Sequence, residues 1–142
     1  MFSPTVYLCG GINGLCDAEA RDWREAAKLR LPNTIDPMRR DYRGKEAENV
    51  SSIVESDLTD IAESHCVLAM CTRPSWGTAM EIWFANNRGM PVFSVVQPGA
   101  PISPWLAYCT TARTSLDEAI DEIVKLYAFV PRSLADAFPR NK

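Results

Sequence analysis

The chain has 142 residues, of which 46% are hydrophobic and 23% are charged, and its formal net charge is −3. This length suits a single domain, and a chain of this size buries enough surface to fold without a metal or disulfide staple. Because the basic residues are scattered along the sequence, the composition argues against a nucleic-acid-binding module, which needs a basic face. A local site for a small anion remains compatible with it.

Cysteine usage and the N-terminal residues bear on the cellular compartment. The five cysteines are odd in number and irregularly spaced, unlike a disulfide framework, and with a single histidine a zinc site is disfavoured. No basic segment precedes a long apolar run at the N-terminus, and no stretch approaches the ~18 apolar residues of a membrane span. We therefore expect a cytoplasmic protein with no metal, no cofactor, and neither membrane nor nucleic acid as a partner.

Short apolar runs rich in β-forming residues predict the strands. They lie at residues 5–9, 34–36, 66–70 and 91–96, with a possible fifth near Ala112. The clearest runs are apolar without alternation, which is typical of a parallel sheet covered on both faces. We predict one α/β domain over residues 1–130, flavodoxin-like or Rossmann-like with about five strands. Residues 131–142 are predicted to form a polar C-terminal tail, frayed or used in a subunit contact.

Four helices are predicted from apolar residues that recur at intervals of three and four positions. They begin after a capping Asp17, cover residues 50–62 and 77–87, and begin again at Ser115. Gly89 is positioned as a C-terminal cap, and Glu118 completes a capping box with Ser115. In such a sheet the ligand lies beyond the carboxyl ends of the strands. The loops that matter are therefore residues 10–16, 36–45, 72–77 and 97–104.

Glu81 is the most informative polar residue. It lies one turn inside its predicted helix, and its neighbours four positions away are Gly77 and Ala85. These small residues let a ligand approach the carboxylate, while the helix N-terminus near Ser75 offers free N–H groups to an anion. The alternative is a solvated surface glutamate whose small neighbours pack on the sheet.

Two further candidates lie in apolar surroundings. Asp57 falls on the apolar stripe of its helix, where a charge is costly unless it is paired or functional. The alternative is that Asp57 lies at the edge of this stripe and acts as a local cap. Tyr7 lies near the end of the first strand, where a tyrosine is more often a core residue than a functional one. Trp105, in the loop after Ser103, suggests a covered surface such as an interface or lid, or else it folds back on its own domain.

The remaining candidates are loop residues. Glycines at positions 10 and 11, followed by Asn13, let a ligand approach the backbone closely, although the loop is not a G-x-G-x-x-G motif. Asp36, about 22 residues past Gly14, keeps a dinucleotide-binding alternative open. A second loop contains several side chains that can bind phosphate or stack on a base: Arg39, Arg40, Asp41, Tyr42 and Arg43. The alternative is a solvated charged loop.

Together these segments resemble the nucleoside 2-deoxyribosyltransferase family and the related 2'-deoxynucleoside 5'-phosphate N-hydrolases. The resemblance runs from about Thr5 to Tyr108. It is carried by YLCGG at residues 7–11, DYRG at 41–44, SDL at 56–58, SWGTAMEI at 75–82 and GMPV at 89–92. The stretch at residues 75–82 is the most specific, and the others add weight by their order and spacing.

The resemblance implies roles for three catalytic residues. Glu81 would attack the sugar C1' and form a covalent deoxyribosyl ester through an oxocarbenium-like transition state. Asp57 would protonate or hold the leaving base, and Tyr7 would orient Glu81. A second base or water would then take the sugar.

The two branches of the family differ at the sugar 5' end. The transferases tend to place an acidic residue six positions before the nucleophile, where this chain has Ser75. A serine there resembles the N-hydrolases, which also use a serine from a neighbouring subunit that matches Ser103, so the resemblance implies a homodimer or higher oligomer. The hydrolases' loop arginine corresponds here to Asn13, while the loop around Tyr42 looks more like the transferases.

Two other interpretations remain. One is a nucleotide-binding module without catalysis that uses the same α/β crevice. The other is an NAD-linked enzyme that uses the first glycine loop and Asp36, although the missing third glycine counts against it.

Overall fold

A computed structural model describes residues 2–130, so the predicted tail at residues 131–142 lies outside the described residues. Five parallel strands form one sheet in the order β2-β1-β3-β4-β5. The strands are β1 Val6–Gly10, β2 Thr34–Ile35, β3 Cys66–Cys71, β4 Val92–Val96 and β5 Thr111–Arg113. This order is that of flavodoxin-like folds and confirms the predicted α/β architecture.

Helices connect the strands. They are α1 Asp17–Ala20, α2 Asp22–Lys28, α3 Val50–Ala62, α4 Trp76–Asn87, α5 Pro104–Cys109 and α6 Leu116–Tyr127. The first predicted helix is divided at Arg21, and its N-cap is Cys16 rather than Asp17. Helix α5 was not predicted. Between residues 2 and 130, no helix is both long and apolar enough to cross a membrane.

Short 3₁₀ helices also form between β2 and α3, at Pro37–Arg39 and Glu46–Glu48. Asp36 caps the first of these by accepting the Met38 N–H at 2.8 Å. Asn49, which ends the second through an N–H bond to the Glu46 carbonyl at 3.0 Å, is also the N-cap of α3. The polypeptide therefore runs from the Glu46 turn directly into α3.

The sheet separates two apolar layers because successive strand side chains point to opposite faces. Leu8 and Leu68 pack on one face with Ile120 of α6, whereas Tyr7 and Val67 pack on the other, α4-containing side. The carboxyl ends of β1 and β3 are adjacent, with Gly10 in register with Met70. The loops that follow these strands therefore meet at one edge, which is where a ligand site is expected.

Gly10 is required by a close approach at this edge. A Cβ atom at residue 10 would lie 2.8 Å from a ring carbon of Trp23, which is too short for a non-bonded contact. The absence of a side chain lets α2 pack against the end of β1. The glycine loop thus has a packing reason in addition to any access it gives to a ligand.

Arg24 of α2 is fully buried, which the sequence pattern did not indicate. Its guanidinium donates to the Gly10 carbonyl at 3.0 Å and to the Leu8 carbonyl at 3.4 Å. It also lies 3.5 Å from Asp36, which forms a second ion pair with Lys28 at 2.6 Å. Asp36 therefore holds α2 to the end of β2, an internal role that differs from the ribose contact of the dinucleotide alternative.

Replacing Arg24 by leucine should destabilise the fold, because Asp36 and two strand carbonyls would lose their buried donor. We expect the free energy of unfolding to fall by about 3 kcal/mol in urea denaturation with an unchanged m-value. The matched control is Arg30→Leu, which removes an exposed arginine paired with Asp117 and Asp121 and should cost less than about 1 kcal/mol. Equal losses for the two variants would contradict the structural role of Arg24.

Candidate active site

A cavity of about 290 Å³ opens at the carboxyl edge of the sheet, between the loop after β1, the loop after β2, helix α3 and the first turns of α4. Most of the predicted site residues line it: Gly10, Asn13, Arg40, Tyr42, Arg43, Asp57, Ser75, Gly77 and Glu81. Five predicted residues do not line it: Tyr7, Gly11, Arg39, Asp41 and Ser103. Tertiary structure thus gathers side chains from four separate stretches of sequence into one crevice.

Glu81 of α4 lines this cavity. Burial raises the pKa of its carboxyl group from 4.5 to about 7, while the neighbouring Tyr7 opposes the shift and Asp57 adds to it. On the helix, a Cβ atom at Gly77 would lie 3.8 Å from Glu81 Oε1, so the glycine leaves open the space directly beside the carboxylate. A carboxyl group that titrates near neutrality in a cleft is a candidate for acid, base or nucleophilic chemistry.

Tyr7 is fully buried in β1 and stands behind Glu81 rather than in the cavity wall. Burial and then the Glu81 carboxylate raise the pKa of its hydroxyl, so the tyrosine stays neutral and can act only as a hydrogen donor. Neither the Tyr7 hydroxyl nor Glu81 Oε2 makes a well-aligned hydrogen bond within residues 2–130. Both groups thus have hydrogen-bonding capacity left at the point where a ligand would meet Glu81.

Asp57 projects from α3 into the same cavity. Burial raises the pKa of its carboxyl group, and the Arg40 guanidinium, whose Nη2 lies 3.4 Å from Asp57 Oδ1, opposes the increase. The two effects leave a carboxyl group that is easier to protonate than an exposed aspartate. Asp57 and Glu81 therefore present two carboxyls with raised pKa values to one cavity.

Asp60 is a charged partner that the sequence analysis missed. It is buried one turn after Asp57 and accepts from Arg39 at 2.8 Å and from Arg40 at 2.5 Å. Burial raises its pKa, but the two arginines outweigh burial and lower it, so Asp60 stays ionised. This pairing turns Arg39 away from the cavity and fixes Arg40 beside Asp57.

The loop at residues 41–44 contributes the aromatic ring of Tyr42 and the guanidinium group of Arg43 to the cavity. Arg43 Nη2 lies 2.7 Å from both Asp41 and Asp17, and its Nη1 donates to the Leu15 carbonyl at 3.1 Å. Tyr42 lines the cavity, whereas Asp41 faces Arg43 and Arg21 outside it. Arg43 therefore ties the loop after β1 to the loop after β2 across the top of the site.

Ser103 lies elsewhere. It caps α5 by accepting the Trp105 N–H at 3.3 Å and borders a second, more apolar cavity of about 600 Å³. Ser75 and Thr78 line both cavities, so the two share the first turn of α4. Gly11 lies beside this turn, since a Cβ atom there would be 3.9 Å from that of Ser75.

Several cavity residues were not predicted as site residues: Ile12, Pro37, Glu46, Val50, Ile53, Val54 and Thr78. The three on α3 follow the same helical face as Asp57, so their spacing was a usable signal. Glu46 precedes that face by one further turn. Over residues 2–130, no group of three or more His, Cys, Asp or Glu side chains is arranged to hold a metal ion.

The family model for nucleoside 2-deoxyribosyltransferase matches residues 6–122, which is most of the chain. The chain belongs to the nucleoside 2-deoxyribosyltransferase family. The match spans the sheet and every element that borders the cavity. No curated protein matches the sequence.

Solved structures share the fold of this family member at low sequence identity. A Clostridium botulinum CMP N-glycosidase has a TM-score of 0.59 at 14% identity, covering 84% of this chain and 97% of its own. A Bacillus psychrosaccharolyticus 2-deoxyribosyltransferase has a TM-score of 0.66 at 15% identity, covering 80% and 88%. A conserved protein from Enterococcus faecalis V583 has a TM-score of 0.70 at 14% identity, covering 88% and 99%. Family and neighbours together support glycosyl transfer or N-glycosidase activity on nucleosides.

The raised pKa of Glu81 predicts a pH-dependent cost to stability. Between pH 4.5 and about 7 the folded protein binds more protons at Glu81 than the unfolded chain, so its free energy of unfolding falls as pH rises through this window. Glu81→Gln should therefore be more stable than wild type at pH 8 by on the order of 3 kcal/mol, with the gain vanishing near pH 4. Urea denaturation at both pH values measures this.

The control for this prediction is Glu55→Gln, an exposed glutamate of α3. It should change the free energy of unfolding by less than about 0.5 kcal/mol at either pH. A Glu81→Gln variant whose stability relative to wild type is the same at pH 4 and pH 8 would contradict the burial argument.

Proposed function

We propose that the protein cleaves the N-glycosidic bond of a 2'-deoxynucleoside or its 5'-monophosphate through a covalent intermediate on Glu81. The observation that carries this proposal is the pair of carboxyls, Glu81 and Asp57, facing one cavity in a member of a nucleoside-modifying family. Their raised pKa values suit the two roles that the reaction needs, a nucleophile and a proton donor.

In the first step, a Glu81 carboxylate oxygen attacks C1' as the bond from C1' to the base nitrogen breaks. The bonding electron pair goes to the base, and Asp57 donates a proton to it, so the base leaves neutral. Positive charge that develops on the sugar is stabilised by the Glu81 carboxylate in the low-dielectric cavity. Tyr7 stands behind this carboxylate, and its unpartnered hydroxyl is available to orient it when the substrate is bound.

In the second step the ester between Glu81 and C1' is broken. In transfer, another base attacks C1', forms a new nucleoside and returns its proton to Asp57. In hydrolysis, water attacks C1' instead, forms the free sugar and likewise loses a proton to Asp57. Both outcomes regenerate the carboxylate of Glu81 and the acid form of Asp57, so the same residues serve either reaction.

The first turn of α4 supports a 5'-monophosphate donor. Ser75 accepts the Thr78 N–H at 3.4 Å, and the helix N-terminus directs a positive dipole end toward the cavity. A carboxylate at this position would repel a phosphate, whereas a hydroxyl can donate to it. Asn13, which lines the same cavity, can donate a further hydrogen bond from its amide.

A non-catalytic nucleotide-binding module is the alternative, since the same crevice could hold a nucleotide without cleaving it. The observation that weighs against it is the burial of Glu81, because mere binding gains little from an ionisable group held at such a cost. A dinucleotide site is less well supported. Asp36, the residue on which it depends, is paired with Arg24 and Lys28.

An exposed apolar surface supports self-association as a homodimer. Trp83 of α4 packs edge-on against Trp105 of α5, with ring centroids 6.0 Å apart. Trp76, Met80 and Tyr108 extend this surface along the same two helices, and all five are exposed in the single chain. A patch of this kind marks an interaction site. Ser103 lies at its edge, where it could reach the cavity of a partner subunit.

Glu81→Ala should abolish release of free base from 2'-deoxynucleosides and their 5'-monophosphates, measured by chromatography with and without an acceptor base. In wild type, kcat/KM should rise with pH up to about 7, because attack requires the Glu81 carboxylate to be ionised. The acceptor product and the preferred donor distinguish transfer from hydrolysis. Base release that survives Glu81→Ala would rule out the covalent mechanism, and bound but uncleaved nucleotide would favour the binding module.

Tyr108→Glu should weaken the proposed dimer, because it places a charge on the apolar surface where the tyrosine is 80% exposed. Sedimentation equilibrium should give a dissociation constant at least about tenfold above wild type, and base release should fall in parallel at dilute protein. Leu29→Glu, which charges an equally exposed apolar site at the end of α2, should change neither. A fully active monomer would contradict a role for Ser103 across the interface.

A further inference from the structure

One wall of the cavity is an uncovered strip of aliphatic side chains. Val50, Ile53 and Val54 of α3 all line the cavity, and two of them, Val50 at 61% and Val54 at 50%, are largely exposed. Their spacing places them on one helical face, which does not pack into either core layer. Pro37 and Tyr42 line the same cavity from the loop after β2. Aliphatic and aromatic side chains of this kind offer an apolar surface on which a planar ring can lie.

Carboxylates stand at both ends of this strip. Asp57 follows Val50 by seven residues, about 10 Å along the helix axis, and Glu46 precedes Val50 by one turn. Both line the cavity. Because the Glu46 turn runs directly into α3 through Asn49, the strip and its two acidic ends form one continuous wall.

The two carboxylates, Asp57 and Glu46, differ in whether they have a partner. Asp57 lies beside Arg40 at 3.4 Å. Glu46 Oε1, by contrast, is shielded from solvent and has no hydrogen-bond partner among the described residues. A buried acceptor left without a donor costs free energy, and this one borders a cavity that a ligand can fill.

The cations that line the cavity are already committed to other partners. Arg40 is held by Asp60 and Asp57, and Arg43 is held by Asp41 and Asp17. Neither arginine is paired with Glu46, so the donor that completes Glu46 is expected from the ligand.

We propose that Glu46 contacts the edge of the nucleobase farthest from the glycosidic bond and selects bases that carry an exocyclic amino group at that edge. This inference rests on the proposed function, since it takes the base to lie on the aliphatic strip with its glycosidic bond toward Glu81 and Asp57. Carboxylate oxygens only accept hydrogen bonds, so Glu46 pairs with the amino group that cytosine or adenine presents at that edge. Uracil, thymine and guanine present a carbonyl oxygen there, which the carboxylate repels.

The experiment compares kcat/KM for 2'-deoxycytidine and 2'-deoxyuridine, and for their 5'-monophosphates, by chromatography of the released base. Wild type should favour the cytosine donors. Glu46→Gln keeps the shape but adds a donor, and it should reduce the cytosine-to-uracil ratio by about ten- to a hundredfold. Glu46→Ala should reduce the ratio as well, which separates base selection from a local effect of the glutamine.

Glu48→Gln is the matched control. Glu48 belongs to the same 3₁₀ turn but is exposed and does not line the cavity, so the cytosine-to-uracil ratio should be unchanged. A change of equal size in this variant would mean that general charge, rather than Glu46, sets the preference.

The outcomes separate this inference from the proposed function. Base release with a wild-type preference for uracil donors, or a ratio unaffected by Glu46→Gln, would overturn the role of Glu46 and leave the N-glycosidic reaction standing. If no donor releases base, the proposed N-glycosidic reaction is wrong. The role of Glu46 is then tested by calorimetry, which compares the binding of the 5'-monophosphates of 2'-deoxycytidine and 2'-deoxyuridine. A cytosine preference that Glu46→Gln removes would support Glu46 as a base reader, and equal binding of both nucleotides would overturn it.

Discussion

The chemistry proposed for the cavity depends on one constraint. The Glu81 carboxylate is held out of water, where the parallel strands β1 and β3 end. Glu81 is carried there by α4, which packs against β1 and β3 while its first turn faces the crevice. Burial raises the pKa of Glu81 to about 7, a cost that the fold bears in its ligand-free form. Tyr7 is the group that opposes this cost from within the sheet. The reactivity proposed for the site and its effect on stability therefore have the same physical origin.

Charged networks hold the rest of the site in place around this carboxylate. Arg24 joins the end of β1 to Asp36 at the end of β2, and Asp60 joins the arginines of the following loop to α3. Both networks use residues that lie outside the cavity to fix residues that line it. Buried ion pairs of this kind contribute little net stability, although removing one partner lowers the free energy of unfolding strongly. Their main effect is therefore to fix the positions of the side chains and loops that they join.

Apolar surface outside the core divides into two patches with different neighbours. The aliphatic strip of α3 borders the cavity, where a planar ring can cover it. The aromatic surface of α4 and α5 lies beyond the first turn of α4, beside Ser103 and the second cavity. The first turn of α4 separates the two, with Ser75 and Thr78 lining both cavities. Substrate and a partner subunit would thus meet the protein on two sides of the same helix end.

The amino-acid sequence by itself determined the α/β class, four strands with a possible fifth, and the carboxyl edge of the sheet as the place where the polar loops meet. Apolar runs and helical spacing are local patterns, so they can be read without knowing which elements touch. It also marked Glu81 and Asp57 as candidates, because each carboxyl group stands beside small or apolar neighbours, and the resemblance to the family then implied their catalytic roles. The motif of residues 75–82 adds family membership, which the match over residues 6–122 confirms.

Only the tertiary structure decided which loop side chains enter the cavity. Arg39, Arg40 and Arg43 look equivalent in sequence, yet Asp60 and Asp41 hold them so that two line the cavity and one does not. Such pairings join residues that are distant in sequence, and no local pattern encodes them. The same reason explains why the burial of Arg24, the unpartnered oxygen of Glu46 and the placement of Ser103 beside a second cavity became visible only once the strands were paired and the helices packed.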